Sequence, residues 1–204
     1  MRILFFGDSI TQGFYDREGG WVQRLARGYH GVEVFNLGVS GDTAESLLAR
    51  LENEAKARRW RDDDPLVVVI CVGINDARLQ DNRAIVDVYE FQKTIENLLD
   101  KALKVADTVM CVGLSAVDES RTNPWPQSST GAQWSNIRIN SFEDTVKQSA
   151  HRRDVPFIPI HDRFLGQLES GAELLADGLH PNEAGHQLIT ELVKPALDGR
   201  IAKG

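Results

Sequence analysis

The feature that most constrains the fold is an uninterrupted apolar run at residues 66–72, which contains no charged or strongly polar side chain. A strand with one face in water alternates apolar and polar residues, whereas a strand buried on both faces shows no alternation. Strands of the second kind occur in parallel sheets that are covered by helices. The run therefore predicts an inner strand of such a sheet.

Similar but shorter runs alternate with segments of helical periodicity along the chain. The predicted strands are residues 2–6, 32–37, 66–72, 108–113 and 156–160. The predicted helices are residues 21–29, a segment capped by Asp42, residues 85–105 and 135–152, and a last helix that Asn182 caps and that ends near Pro195. This repeated alternation predicts an α/β sandwich, and right-handed crossovers place helices on both faces of its parallel sheet.

The composition fits one globular domain over residues 1–204, with 42% hydrophobic and 26% charged residues and no internal repeat or linker. The net charge of −7 excludes a general nucleic-acid-binding protein, which needs a basic face. No apolar run approaches the ~20 residues of a membrane-spanning helix. The chain reaches Gly7 before the apolar core of a signal peptide could form, so we expect a cytoplasmic protein.

The two cysteines, Cys71 and Cys111, each lie within an apolar run and lack C-x-x-C spacing. Their actual spacing of 40 residues indicates neither a zinc site nor a redox pair. We therefore expect both to be reduced residues of the core.

Reactive and small residues cluster where the predicted strands end. In an open parallel sheet, sites form just beyond the carboxyl ends of the strands. The residues at these positions are Gly7, Asp8, Ser9, Asn36, Gly38, Ser40, Gly41, Gly73, Asn75, Asp76, Asp177 and His180. One crevice at this edge of the sheet would collect them.

This set contains the groups that a serine nucleophile needs: a base, an acid that orients the base, and donors for the oxyanion. Ser9 lies on a predicted strand-to-helix turn, where its own N–H points outward. His180 is the candidate base, and Asp177 can reach its Nδ1 through one tight turn. Gly38 can offer a further N–H and Asn75 a side-chain amide. Each residue alone is better explained by a cap or a turn, and only the combination favours chemistry.

Four blocks of the sequence resemble those of the GDSL, or SGNH, hydrolases. In chain order they are residues 7–11, 36–43, 73–76 and 177–182. The four residues that name the family fall on Ser9, Gly38, Asn75 and His180, with Asp177 as the acid of the triad. The blocks are spread over nearly the whole chain.

The resemblance implies a three-layer α/β/α sandwich of flavodoxin-like topology, with five parallel strands in the order 2-1-3-4-5. It implies a serine hydrolase that cleaves carboxylic acyl esters of small molecules through an acyl-enzyme, without a metal or another cofactor. Ser9, Gly38 and Asn75 would form the oxyanion hole. Substrates of the family include short acyl esters, lysophospholipids, thioesters and acetylated sugars, so a carbohydrate acetylesterase is one alternative.

Two further alternatives lie outside ester hydrolysis. A flavodoxin-like module that binds a nucleotide or a flavin needs a phosphate loop after the first strand, but residues 7–13 lack both the P-loop lysine and the G-x-G-x-x-G spacing. A catalytically silent protein on this fold would need a blocked pocket, because all five catalytic positions are present.

The loop at residues 115–133 carries Trp125, which either lines the pocket or anchors the loop. Structural roles are predicted for Asp8, Asp76, His161 and His186.

Overall fold

The computed structural model of the protein describes residues 1–61 and 63–201. Its strands are β1 (Arg2–Gly7), β2 (Glu33–Gly38), β3 (Leu66–Cys71), β4 (Leu79–Gln80), β5 (Arg83–Ala84), β6 (Thr108–Val112), β7 (Ala132–Gln133) and β8 (Phe157–Ile158). Its helices are α1 (Ser9–Gln12), α2 (Gly20–Ala26), α3 (Ala44–Arg58), α4 (Val88–Val105), α5 (Glu119–Thr122), α6 (Asn136–His151), α7 (His161–Glu169) and α8 (Glu183–Ile201).

Five parallel strands form the central sheet in the order β2-β1-β3-β6-β8. Numbered within this sheet alone, they run 2-1-3-4-5, so the predicted topology is confirmed. Strand β1 is central to the site, because Gly7 at its end lies in register with Gly38 of β2 on one side and with Cys71 of β3 on the other. Helices α2 and α8 pack together, as do α3, α4 and α6, which gives a three-layer α/β/α sandwich.

The core is formed by strands that are buried on both faces. Every residue of β3 is buried, as its apolar composition requires. In one helical layer Trp21 of α2 meets Phe5 of β1 edge to face, with 5.3 Å between ring centroids. In the other layer Phe91 of α4 packs on Phe142 of α6 at 4.5 Å. Both cysteines are free and buried in this core, as predicted, and burial raises the pKa of both thiols.

The cap of α3 differs from the sequence prediction. Thr43, not Asp42, is the N-cap residue, and its Oγ1 accepts the N–H of Ser46 at 3.3 Å. Thr43 has the extended backbone that an N-cap requires, so the preceding aspartate lies one residue too early. The Asp42 carboxylate is left to accept a hydrogen bond from Arg50 of the same helix, at 2.8 Å.

The last helix also differs, because α8 does not end near Pro195 but continues to Ile201. A proline inside a helix removes one backbone hydrogen bond and favours a kink. Here Val193 and Leu197, on either side of it, are both fully buried, so core packing compensates. Asn182 caps the helix as predicted, since its Oδ1 accepts two N–H groups of the first turn at 2.9 and 3.0 Å. No helix within the described ranges is both long enough and apolar enough to cross a membrane.

The segments between the long strands contain structure that periodicity did not predict. Strands β4, β5 and β7 form a small antiparallel sheet, which joins the segment after β3 to the loop at residues 115–133. That loop also contains α5, and α7 follows β8 almost directly. Strands of two residues are too short to show alternation. Trp134 fixes the loop to the sheet, because its Nε1 donates to the carbonyl oxygen of Ile74 at 2.8 Å.

Candidate active site

The position of the candidate nucleophile is set by the turn from β1 into α1. Asp8 caps α1, since its Oδ1 accepts the N–H of Ile10 at 2.9 Å. Ser9 is therefore the first helical residue, directly beyond the carboxyl end of β1. Glycine is required at position 7, because a Cβ on Gly7 would lie 2.1 Å from Thr11 Oγ1 and 2.5 Å from a carbonyl oxygen of β3.

A continuous hydrogen-bonded chain links Ser9 to the loop before α8. Ser9 Oγ lies 2.9 Å from His180 Nε2, and His180 Nδ1 lies 2.8 Å from Asp177 Oδ2. The other carboxylate oxygen of Asp177 accepts the backbone N–H groups of Leu179 and His180 at 2.9 and 2.8 Å, which fixes the loop. The structure thus brings together the three residues predicted as nucleophile, base and acid, and all three are buried.

The surroundings of Asp177 keep its carboxylate charged. Burial alone would raise its pKa, but the hydrogen bonds from the His180 ring and from two backbone N–H groups outweigh burial and hold the pKa below its ordinary value. A charged acceptor that faces Nδ1 selects the imidazole tautomer with its proton on that atom. Nε2 then presents its lone pair to Ser9 Oγ, which is the arrangement a general base needs.

Asn75 lies in the turn after β3 and is held by the segment after β2. Its Nδ2 donates to the carbonyl oxygen of Asp42 at 2.9 Å, which uses one of its two amide hydrogens. The second hydrogen has no acceptor within residues 1–61 and 63–201. Asn75 can therefore offer this hydrogen to a ligand at the same edge of the sheet.

Gly38 does not have the free N–H that the sequence prediction requires of it. Gly38 is the last residue of β2, and its N–H donates to Asn36 Oδ1 at 3.0 Å. Its lack of a side chain serves packing instead, since a Cβ would lie 2.2 Å from the backbone nitrogen of Gln12. With its hydrogen already engaged inside the protein, Gly38 is a poor donor for a substrate oxyanion.

Gly41, in the turn at residues 39–42, is the better-placed glycine. The N–H of Asp42 donates to the carbonyl oxygen of Val39 at 3.1 Å and closes the turn, and Gly41 has a φ of 83° in its third position. Throughout the described part of the chain, the N–H groups of Ser9 and Gly41 have no acceptor, so both are available to a ligand. The sequence signal was present, because the second block contains both glycines, but periodicity does not tell a strand glycine from a turn glycine.

Two further carboxylates near the nucleophile accept hydrogen bonds from backbone N–H groups. Asp8 caps α1, and Asp76 accepts the N–H of Ala44 on both oxygens, at 3.2 and 3.1 Å, which ties the start of α3 to the turn after β3. Burial raises the pKa of Asp8 to about 7 and that of Asp76 to about 6. These contacts agree with the structural roles expected from the sequence.

The two buried histidines outside the triad differ in their contacts. His186 is fully buried, and its Nε2 donates to the carbonyl oxygen of Phe14 at 2.9 Å. His161 Nδ1 lies 3.5 Å from Asp162 Oδ1 at the start of α7, and neither ring nitrogen of His161 has a hydrogen-bond partner within the described ranges. Burial lowers the pKa of both imidazoles. Among the residues that the structure describes, no group of three or more His, Cys, Asp or Glu side chains could hold a metal ion.

Three aromatic rings surround the imidazole of His180, and we call them the aromatic rim. Phe14 stacks on the imidazole at 5.5 Å between centroids, and the rings of Tyr15 and Trp125 each lie 5.7 Å away. Phe14 and Tyr15 are 40% and 52% exposed, so the rim borders the solvent side of the site. Trp125 also packs edge to face on Trp134 at 5.8 Å. Trp125 therefore both lines the site and anchors its loop. Phe14 and Tyr15 were not predicted from the sequence as site residues.

Known proteins resemble this chain over nearly its whole length. Residues 5–188 match the model of the GDSL-like Lipase/Acylhydrolase family. The acetylxylan esterase of Geobacillus stearothermophilus is 26% identical over 92% of this chain and 90% of its own length. The isoamyl acetate-hydrolyzing esterase 1 homolog of Bos taurus is 35% identical over 98% of this chain and 83% of its own. A crystal structure of a lipolytic G-D-S-L family member from Veillonella parvula has the same fold, with a TM-score of 0.75 at 22% identity, and the match covers 95% of this chain and 96% of that one.

Proposed function

The chain belongs to the GDSL-like lipase/acylhydrolase family and is a carboxylic ester hydrolase, and from this premise we propose that it works through an acyl-enzyme on Ser9. The observation that supports this most directly is the hydrogen-bonded chain from Ser9 Oγ through His180 to Asp177, with distances of 2.9 and 2.8 Å. Each group has the partner that its role demands, and the pKa of the acid is lowered, as a charged orienting carboxylate requires.

In the proposed reaction, His180 Nε2 accepts the Ser9 proton as Oγ attacks the acyl carbon of the ester. Asp177 holds the imidazole in the correct tautomer and stabilises the imidazolium that forms. His180 then gives the proton to the leaving alcohol, and the acyl group stays on Ser9. Water, deprotonated by His180, attacks this second ester and releases the carboxylic acid, which regenerates the free serine.

The proposed oxyanion hole uses the N–H of Ser9 and the second amide hydrogen of Asn75. The contacts of the two nearby glycines favour Gly41 over Gly38 as the third donor, because only the Gly41 N–H is without an acceptor in the described ranges. Donors that are free before substrate binds need no rearrangement in the transition state, which is the source of their catalytic effect.

For the substrate, we propose esters with a short acyl group, acetyl esters above all. Two of the relatives are named for acetyl groups: the acetylxylan esterase and the isoamyl acetate-hydrolyzing esterase homolog. The aromatic rim offers flat apolar surfaces next to His180, on the side where the leaving alcohol departs. The rim therefore supports a bulky alcohol or sugar as the leaving group, and a carbohydrate acetylesterase is the second candidate.

The experiment that tests the proposal combines covalent labelling with turnover. A fluorophosphonate should label wild-type protein at Ser9, and Ser9→Ala should lose hydrolysis of p-nitrophenyl acetate by roughly 10⁴-fold or more while remaining folded. Ser170→Ala is the matched control, since Ser170 is exposed at the end of α7 and donates only to a helix carbonyl oxygen. Wild-type-like turnover in Ser9→Ala would refute the assignment of the nucleophile.

The acyl preference is tested with p-nitrophenyl esters of increasing chain length, together with acetylated xylose and acetylated simple alcohols. The proposal predicts that kcat/KM falls steadily beyond the acetyl ester. A maximum at octanoyl or longer chains would contradict the acetyl preference but leave the Ser9 mechanism intact.

A further inference from the structure

Arg50 of α3 is the cation that joins the segments bordering the proposed oxyanion hole. Its Nε donates to Asp42 Oδ2 at 2.8 Å, and its Nη2 donates to the carbonyl oxygens of Leu37 at 2.6 Å and Gly7 at 3.3 Å. The guanidinium also lies 5.4 Å from the ring centroid of Phe6. One planar group therefore bridges the ends of β1 and β2 and the turn at residues 39–42.

These partners are close to the reacting atoms along the chain. Gly7 comes two residues before Ser9, and Leu37 comes two residues before the turn that carries Gly41. The carbonyl oxygen of Gly7 also accepts the N–H of Val39 at 3.0 Å, so Arg50 adds a second donor to it. The fork of a guanidinium supplies several donors in a fixed plane, which an ammonium does not.

Asp42 connects Arg50 to Asn75 through two hydrogen bonds. Its carboxylate is held by Arg50, and its backbone carbonyl oxygen accepts one amide hydrogen of Asn75 at 2.9 Å. That hydrogen bond fixes the rotation of the amide and therefore the direction of its second hydrogen. A donor displaced by about 1 Å can cost up to about 100-fold in rate.

The side chain of Asp42 has no other task that the structure shows. The cap of α3 is Thr43, and within the described ranges the Asp42 carboxylate hydrogen-bonds to Arg50 alone. The two side chains are 20% and 13% exposed, so water screens the pair less than an exposed surface ion pair.

We propose that Arg50 is a positioning residue for oxyanion stabilisation: through Asp42 it holds Asn75 and the turn containing Gly41 in the geometry that receives the oxyanion. The inference rests on the proposed function, because it presupposes that Asn75 contacts the oxyanion. It concerns neither the nucleophile nor the triad, so this inference can fail while the proposed function stands.

The first test compares Arg50→Met with Arg153→Met. Arg153 is the matched control, since its side chain is 18% exposed and forms a bidentate pair with Asp100 at 2.6 and 3.0 Å, which links the turn after α6 to α4. With p-nitrophenyl acetate, Arg50→Met should lower kcat roughly 10- to 100-fold, up to the loss expected for one oxyanion donor. KM should change less than about twofold, and Arg153→Met should keep the wild-type kcat.

The second test is a double-mutant cycle with Asn75→Ala. A merely structural role of Arg50 would give the same Arg50→Met penalty on kcat with and without Asn75. If Arg50 acts through Asn75, most of the Arg50→Met penalty on kcat should disappear once Asn75 is removed. An undiminished penalty in the Asn75→Ala background would overturn the proposal, as would a wild-type kcat in Arg50→Met. A wild-type kcat in Asn75→Ala alone would instead refute the proposed oxyanion hole.

Asp42→Asn keeps the test decisive if Arg50→Met does not fold. This variant retains the backbone carbonyl oxygen that binds Asn75 and the bonds from Arg50 to the strand ends, and removes only the charge of the pair. It should also lower kcat at nearly constant KM, with a loss that shrinks in the Asn75→Ala background. A kcat equal to that of the wild type would count against positioning by the ion pair.

Discussion

The sharpest test of the proposed triad is Asp177→Asn, because the two oxygens of this carboxylate have different tasks. Oδ1 accepts two backbone N–H groups at 2.9 and 2.8 Å, and Oδ2 faces His180 Nδ1 at 2.8 Å. In the asparagine variant the amide oxygen can keep both backbone hydrogen bonds. The amide nitrogen then faces Nδ1 as a donor and forces the imidazole proton onto Nε2, where it points at Ser9 Oγ.

The magnitude follows from this change of tautomer. An imidazole with its proton on Nε2 cannot accept the proton of Ser9, so nucleophilic attack loses its base. In a protease with a Ser-His-Asp triad the same exchange lowers kcat about 10⁴-fold. We expect a similar loss here, which corresponds to about 5.5 kcal/mol of transition-state stabilisation. Stability should change little, because no backbone donor of the loop loses its acceptor.

The assay compares Asp177→Asn with Asp177→Ala, using kcat on p-nitrophenyl acetate and thermal unfolding. The alanine variant leaves the two buried N–H groups of the loop without an acceptor, at a cost of about 1–3 kcal/mol each, but does not impose the wrong tautomer. It should therefore be less stable than the asparagine variant yet retain more activity. If Asp177→Asn keeps kcat within tenfold of the wild type, the carboxylate does not select the tautomer and this reasoning is wrong.

Three further predictions concern the donors, the buried acid and the aromatic rim. A Cβ on Gly41 would meet no atom within 4 Å, so Gly41→Ala should remain folded with about 1–2 kcal/mol of backbone strain at its positive φ. That strain should shift the backbone N–H of residue 41 and lower kcat at least tenfold, and an unchanged kcat would count against an oxyanion contact in this turn. Burial raises the pKa of Asp8 to about 7, above its ordinary value, so the folded state binds this proton more tightly and the wild type should lose stability from about pH 4 to pH 7. Urea unfolding should show a flatter pH dependence for Asp8→Asn, by on the order of 4 kcal/mol over that interval, and equal slopes would contradict the shift. Trp125→Ala should raise KM for acetylated xylose about 2- to 10-fold but leave KM for methyl acetate unchanged, and parallel changes would exclude contact with the leaving group.

Local patterns were enough to predict the sheet but not the contacts between its loops. The apolar run at residues 66–72 and its shorter counterparts located the five strands of the central sheet, and the signal is clearest for β3, because burial on two faces leaves a direct mark on composition. The short blocks next to a strand end or a helix start also marked Ser9, Asp177 and His180, whose side chains lie within hydrogen-bonding distance in the structure. The sequence did not mark Arg50, because the contacts that support its proposed role come from carbonyl oxygens and a carboxylate of three other segments, which no periodicity connects to α3.

Local patterns also fail to tell Gly38 from Gly41 as the glycine with a free N–H. Both glycines stand in one block, and the sequence predicted that β2 ends at residue 37, one residue before its observed end. The strand ends at Gly38, whose N–H donates to Asn36, and the turn that follows places the positive φ at Gly41. Which glycine N–H is free therefore depends on the exact end of the strand, and sequence patterns determine such boundaries least well.

The three carboxylates around the site show how environment assigns roles to identical groups. Burial raises the pKa of Asp8 and Asp76, whose hydrogen bonds come from backbone N–H groups alone, whereas Asp177 also accepts a hydrogen bond from the His180 imidazole and its pKa falls. In the proposed mechanism, the persistent negative charge therefore lies behind His180, where it would stabilise the imidazolium, and not next to Ser9, where it would oppose the developing oxyanion. Ionisation of Asp8 above about pH 7 places a second charge beside the nucleophile. In the proposed mechanism, the burial of Asp8 thus reduces the negative charge that its carboxyl group places beside the oxyanion below about pH 7.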